Sequence, residues 1–437
     1  MGQRGKTMDL SGKRILMLGS NVASVDIVNY LRKKNAFVYV TDNLPKSKSP
    51  AKQVADEIWN VSTLDTEMII KLVKQNGITN ILSGISEVNL LQAIRLNELL
   101  DFPFYCNEEQ WDMISNKELF KNLCNKNGVS STKTYYSGPA SDIDDISAEA
   151  IKYPIIVKPV DSTASIGITI VDDKNKFDHA IGLAEKHSKS KRIIIEEYVK
   201  GYEFTAHYVI HNGLARLVTV DNRYPVCLHE GAVTTIPIGR VFPSLFAEKF
   251  LKKMEKKMEL LCCDIGLKYG VMFVQGIYDD KADEFKLFEA GLRPAAESVY
   301  KITSLINGQN FAQMLIDEIV AGESTYEIRK EDPFLSGKSA GIISIASPGG
   351  KVGRISGVTD VLNTISNIKF FEQRYFEGDE IPSGDTLRQL VLRFTIVANN
   401  REDMVNDIKR INDCISISDS NGKTMDSKII PEAILNL

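Results

Sequence analysis

The first hundred residues repeat one pattern, a short apolar run followed by an amphipathic stretch of about three helical turns. Lys13 to Leu18 reads as a strand, enters the turn Gly19-Ser20-Asn21 and gives way to a helix over about 23–33. Ala36 to Val40 is a second strand, ending at Thr41-Asp42. Further strands fit Glu57–Val61 and Ile78–Ser83, with helices at about 66–75 and 88–100. Strands alternating with helices at this spacing predict an α/β fold with a doubly wound parallel sheet. Ligands of such sheets bind beyond the carboxyl ends of the strands, which here carry Gly19-Ser20-Asn21, Asp42 and Gly84-Ile85-Ser86-Glu87. Positions 19–24 read GSNVAS where a dinucleotide site would have G-x-G-x-x-G, which disfavours a nicotinamide cofactor. The same residues serve equally well as plain turns and helix caps.

Composition narrows the function classes. A chain of 437 residues has room for about two to four domains. The net charge is -4, with 53 basic and 57 acidic residues intermixed, so there is no electrostatic case for nucleic acid or an anionic membrane. No apolar stretch has the length of a membrane span, and the N-terminus lacks the apolar segment of a signal peptide. The six cysteines, Cys106, Cys124, Cys227, Cys262, Cys263 and Cys414, form no Cys-x-x-Cys pair. Reduced thiols in a cytoplasmic protein are therefore expected, rather than disulfides or zinc. Residues 1–8 contain Gly5-Lys6-Thr7, the tail of a phosphate-binding loop, but without the strand or glycine spacing of one. They read as a disordered leader.

The segment Gly270 to Arg293, GVMFVQGIYDDKADEFKLFEAGLR, bears most directly on chemistry. Two apolar runs flank a polar stretch at 279–284, which predicts a β-hairpin. A turn centred near Ala282 sets Gln275 opposite Glu289, and the period-two alternation puts Glu289, Gly291 and Arg293 on the face that Gln275 shares. A carboxylate, a carboxamide and a guanidinium among buried apolar residues are either paired with one another or bind a ligand. The oxygen donors suit Mg²⁺, and the arginine suits a phosphate or acyl phosphate.

Several motifs precede the hairpin. Ser115 with Glu118 three residues on reads as a capping box for a helix to about Lys126. Tyr153 to Val160, YPIIVKPV, is an apolar strand interrupted by Lys158. The loop Asp161 to Gly167 follows, made of small residues whose backbone amides can approach phosphates, as can those of many ordinary turns. Arg192 to Val199, RIIIEEYV, ends in Glu196 and Glu197, readable as a solvated strand end or as a hinge whose backbone meets an adenine edge. From about Gly337 short strands and glycine-rich turns define a third, mixed α/β region, closed by a strand at Leu390–Val397 and a helix at 400–414.

In order, these elements resemble the ATP-grasp superfamily, ligases that join a carboxylate to an amine through an acyl phosphate. The resemblance covers roughly Leu10 to Gly322. It implies a Rossmann-like preATP-grasp domain at 9–112, an ATP-grasp domain at 113–325 with a lid subdomain at about 128–196, and a C-terminal mixed α/β region at 326–437. It further implies an ADP-forming ligase that uses ATP and Mg²⁺, with Mn²⁺ as a substitute. Lys117 matches the first nucleotide-binding lysine and Lys158 the second. Ser162, Ser165 and Gly167 match the loop over the phosphates. Glu196, Glu197, Tyr198 and Val199 match the adenine hinge, and Glu203 the ribose-binding acid. Gln275 and Glu289 match the metal ligands, and Arg293 the arginine that stabilises charge on the acyl phosphate. The chain departs from the family pattern twice, with Gln275 where an acid is usual and Gly291 where an asparagine is usual. The first removes one negative charge from the metal site. The second leaves a ligand to be supplied by water, backbone or substrate.

The substrates implied are a small carboxylate and an amine, without nucleic acid or membrane, and a homodimer is compatible with the family. Rival readings are a nucleotide-binding protein with impaired catalysis, and a carboxylase or purine-pathway ligase on the same fold. His207 and His229 read as core or solvated histidines rather than nucleophile partners. Arg223 and Arg240 read either as partners for a substrate carboxylate or as surface charges.

Overall fold

The computed structural model describes residues 8–145, 151–161, 167–226, 228, 236–384 and 387–435. Its N-terminal sheet consists of β1 (Arg14–Leu18), β2 (Phe37–Thr41), β3 (Glu57–Trp59) and β4 (Asn80–Ser83), ordered β3-β2-β1-β4 and parallel throughout. Ile15 through Leu18 are fully buried, as expected of a central strand covered by helices on both faces. Asn21 caps the helix Val22–Lys33 by accepting the Ser24 amide at 3.0 Å, and Ser86 caps the helix Glu87–Leu100. The doubly wound pattern read from the sequence is thus present, and its strand-end loops carry helix caps.

A small antiparallel sheet lies where the lid subdomain is expected, and is called the lid below: β5 (Thr134–Pro139), β6 (Ile155–Pro159), β7 (Thr169–Val171) and β8 (Arg192–Glu197), in the order β5-β8-β6-β7. Ile155, Val157, Val171, Ile193 and Ile195 bury one face against the helix Phe177–His187. Asn116, rather than Ser115, starts the helix Lys117–Lys126, because Ser115 still belongs to the preceding helix Glu108–Ser115. The Asn116 side chain accepts the Glu118 and Leu119 amides, and Glu118 is spent on Arg192 instead of a capping box.

The central sheet has eight strands. β9 (Tyr202–His211), β10 (Leu214–Val226), β11 (Ile236–Phe242), β12 (Tyr269–Asp279) and β13 (Glu284–Gly291) run in the order β13-β12-β9-β10-β11. The sheet continues through Ser339–Ala346, Leu390–Ala398 and Ile368–Gln373, so strands of the C-terminal region extend it. The helix Ala247–Ile265 covers one face with Phe250, Met254, Met258, Leu261 and Ile265, spaced by three or four residues. Register assigns the other face: Gln275 pairs with Thr205, Thr205 with Asp221, and Arg223 with Arg240, so one polar strip crosses four strands. Among the described residues, no helix is long and apolar enough to cross a membrane.

The N-terminal domain docks on the helix Phe311–Ala321. Tyr30 donates its hydroxyl to both oxygens of the buried Asp317, at 2.8 and 2.9 Å, and Asn80 donates to Ile319 O at 3.1 Å. Burial pushes the Asp317 carboxyl up to about 6. A carboxyl raised on folding favours the native state most below its ordinary pKa, and that stability is lost as pH rises through 6. Asp317→Asn, which mimics the protonated form, is therefore expected to be more stable than wild type at pH 8 by about 2 kcal/mol. The gap should narrow steadily from pH 6 toward pH 4, which urea unfolding midpoints across this range would measure. A gap independent of pH would contradict the assignment.

Candidate active site

Two surfaces face each other, the lid and the β12–β13 hairpin. On the lid side Glu196, at the end of β8, is 1% exposed. A carboxylate this far from water must be compensated. The Lys158 ammonium lies 2.6 Å from its Oε2, the Lys121 ammonium lies 2.5 Å from Oε1, and the Thr132 hydroxyl donates to Oε2 at 3.0 Å. Burial alone would raise the Glu196 carboxyl, but the two lysines outweigh it and hold it below the usual carboxylate range. Two ammonium groups on one carboxylate leave a positive charge in excess, which suits an anion.

Lys117 completes the cluster. Its ammonium donates to Val160 O at 3.4 Å. Burial pulls its pKa below the ordinary value; Glu289 on the hairpin opposes that shift, and the like charge of Lys158 reinforces it. Lys117, Lys158 and Glu289 thus lie within electrostatic reach of one another. Lys158 also sits 5.9 Å from the ring centre of Phe288, the neighbour of Glu289.

On the hairpin Gln275 lies opposite Glu289, as the turn spacing predicts, and the ladder shifts register immediately beyond the pair. Gly291 has a steric reason. A Cβ there would come within 2.6 Å and 2.8 Å of the Phe273 ring and 3.4 Å of a Glu87 oxygen. The space an asparagine would need is filled by Phe273, whose ring carries the Arg293 guanidinium 4.9 Å from its centre. Arg293 donates to Glu87 Oε1 at 2.5 Å and to Pro294 O at 3.1 Å. Glu87 belongs to the strand-end segment after β4, so the N-terminal domain reaches the hairpin through this pair.

The residues expected to form the hinge tie the small sheet to the body. Glu197 accepts the Lys133 amide at 2.8 Å and the Lys286 ammonium at 3.0 Å, linking β8 to β13. The Tyr198 amide donates to Pro154 O at 3.1 Å, and Val199 is buried. Glu203 pairs with Arg223 at 3.2 Å, and the same guanidinium reaches Gln275 Oε1 at 3.4 Å. Gly167 has φ +79°, and a Cβ there would lie 2.9 Å from both His187 and Pro159, so this end of the loop tolerates only glycine. Ser162 and Ser165, like His229, lie outside the described residues.

Arg223 and Arg240 are not surface charges. Arg240 is buried and donates to Asp221 twice at 2.7 Å and also to Glu297. His207 lies 3.1 Å from Asp221, and burial holds its pKa below the ordinary value. Sequence reasoning missed Lys121, Glu297 and the pairing of the strand-end Glu87 with Arg293. Lys121 carries a signal, since it stands four residues after Lys117 and so on the same helical face. Glu297 and the Glu87–Arg293 pair carry none, because the partners are distant in sequence.

Among the described residues there is no cluster of three or more His, Cys, Asp or Glu able to hold a metal. One carboxylate facing one carboxamide fits a hard cation that takes its other ligands from water and phosphate, as Mg²⁺ does.

Comparison with known proteins gives three results. A family profile described as the D-ala D-ala ligase C-terminus matches residues 131–225. A formate-dependent phosphoribosylglycinamide formyltransferase from Prochlorococcus marinus is 28% identical over 196 residues, 44% of this chain and 49% of that protein. The chain thus spans about half the length of the curated relatives it matches. Among solved structures, an L-amino acid ligase from Bacillus licheniformis superimposes with a TM-score of 0.77 at 16% identity, covering 93% of this chain and 99% of the other. A phosphoribosylglycinamide synthetase from Anaerococcus prevotii gives 0.70 at 18% identity, with the same coverage.

Gln275→Glu restores a second carboxylate to the hairpin and is expected to tighten Mg²⁺ or Mn²⁺ binding about tenfold, whereas Glu289→Gln should abolish it. Calorimetric metal titration in the presence of ADP would measure both. Unchanged affinity in both variants would remove the metal from this hairpin.

Proposed function

We propose that this chain, which has the ATP-grasp fold, is an ATP- and Mg²⁺-dependent ligase that joins a carboxylate to an amine and releases ADP and phosphate. One observation carries the reading: a buried excess of lysine charge on the lid faces a hairpin whose Glu289 and Gln275 offer oxygen to a cation. The names of the matched proteins, a formate-dependent formyltransferase and an L-amino acid ligase, are in keeping with a carboxylate substrate. The domain limits proposed are 9–112, 113–325 with the lid at about 128–196, and 326–437.

A carboxylate is a poor electrophile because its oxygen is a poor leaving group. Transfer of the γ-phosphoryl of ATP to that oxygen forms a new O–P bond and breaks the bond to the β–γ bridging oxygen, releasing ADP. The amine nitrogen then attacks the carbonyl carbon of the acyl phosphate, the C–O bond breaks, and phosphate leaves. Phosphoryl transfer needs positioning and charge neutralisation more than covalent help. Lys117 and Lys158 hold phosphate oxygens as point charges. The backbone of the hinge at 196–199 meets the adenine edge, Glu203 the ribose hydroxyls, and Ser162, Ser165 and Gly167 the phosphates. Arg293, held by Glu87 and the Phe273 ring, stabilises the charge of the acyl phosphate. Glu289 and Gln275 would hold the metal, which when bound would neutralise charge on the phosphates.

The test is a screen of small carboxylates and amines that follows nucleotide products and traps acyl phosphate with hydroxylamine. ADP and phosphate are expected in equal amounts, with hydroxamate formed from the true carboxylate substrate. Glu289→Gln should lower turnover by a factor on the order of a hundred or more. AMP and pyrophosphate as stoichiometric products would contradict the proposal, since they report an acyl adenylate.

A further inference from the structure

Glu196 faces two lysines, and the two are not equivalent. Lys121 is buried, donates to Thr132 O at 2.6 Å and Thr134 Oγ1 at 2.8 Å, and lies 2.5 Å from Glu196 Oε1. Its position is set by the helix Lys117–Lys126 and by two threonines, whether or not anything occupies the cleft. Lys158 lies 2.6 Å from the other oxygen, on the strand β6, and 5.9 Å from the centre of the Phe288 ring of the hairpin. Both lysines are buried, but Lys121 is held by two further acceptors, whereas the contacts of Lys158 are Glu196 and the Phe288 ring.

This asymmetry matters if the cleft takes a nucleotide, so the inference rests on the function proposed above. Lys158 has three N–H donors and can hold Glu196 and a phosphate together, but as a single counter-ion it would share its charge between two anions, one of them a buried carboxylate. With Lys121 on Oε1, the carboxylate stays compensated. We infer that Lys121 is a positioning residue, a fixed counter-ion to Glu196 that leaves the charge of Lys158 available to the phosphates of the nucleotide. Lys121 itself does not touch the nucleotide.

A double-mutant cycle separates this role from a merely structural one. The readout is the Kd of a non-hydrolysable ATP analogue with Mg²⁺, with thermal unfolding recorded for every variant. Lys121→Met leaves Lys158 as the one charged partner of Glu196, beside the Thr132 hydroxyl, and affinity is expected to fall about tenfold. In the Glu196→Gln background there is no carboxylate to strand, and adding Lys121→Met should change Kd by less than about threefold. Lys121→Gln should behave like Lys121→Met, and Lys121→Arg should retain affinity close to wild type. Equal losses in the two backgrounds would overturn the inference, because Lys121 would then act directly or through general stability. No loss in either background would overturn it as well. If both neutral variants fail to fold while Lys121→Arg folds, Lys121 is a stability residue and the inference is wrong. Failure of the wild-type protein to bind the analogue would instead overturn the proposed function, and this inference with it.

Discussion

Glu196 is the charge on which the candidate site depends. It is buried where the strand β8 leaves the lid, and burial of a lone carboxylate there would be prohibitive. Its compensation draws in Lys121 from the helix that precedes the lid and Lys158 from the neighbouring strand β6. Three segments far apart in sequence are thereby fixed around one point. The adjacent Glu197 extends the anchorage to the body of the protein through Lys286 on β13. The lid is thus tied to the hairpin strand by the residue beside the one that collects its lysines.

The hairpin answers this positive charge with oxygen donors and with packing. Glu289 raises the pKa of Lys117 against the effect of burial, which places the carboxylate and the ammonium in one electrostatic environment. Gly291 follows from the same packing: the Phe273 ring fills the space above it and supports Arg293 from below. A side chain at 291 would displace the ring and, with it, the arginine. Loss of one potential ligand and placement of the guanidinium are two results of a single steric choice. Behind the hairpin, the polar strip continues through Arg223, Asp221 and Arg240 to Glu297, with each charge met by an opposite one.

Much of this is legible in the sequence. The alternation of apolar runs and amphipathic helices identified the parallel sheet, because that periodicity is local and strong between residues 13 and 100. The pairing of Gln275 with Glu289 is the one that a turn centred on Ala282 gives, but the structure reaches it through a turn half a residue earlier and a register shift between Gln275 and Gly276. The helix cap was misplaced by one residue, since Ser115 and Asn116 are both good caps and only the end of the preceding helix decides between them. The continuation of the central sheet into Ser339–Ala346 and Leu390–Ala398 was not legible, because strand order across distant segments leaves no mark in a single sequence. Nor were the ion pairs of Arg240 or the contact of Glu87 with Arg293, which join residues 206 positions apart. The roles proposed for Lys117, Lys158 and Glu203 come from family resemblance; the structure places Lys158 on Glu196 and Glu203 on Arg223.

The central claim is that the hairpin holds a divalent cation against phosphates gripped by the lid. Phosphorus NMR of the protein with a non-hydrolysable ATP analogue and substoichiometric Mn²⁺ tests it most directly, because a paramagnetic ion broadens only nearby phosphorus nuclei. The account expects strong broadening of the β and γ resonances in the wild-type protein and its loss in Glu289→Gln at the same nucleotide occupancy. Equal broadening in the two proteins, or none in either, would contradict it.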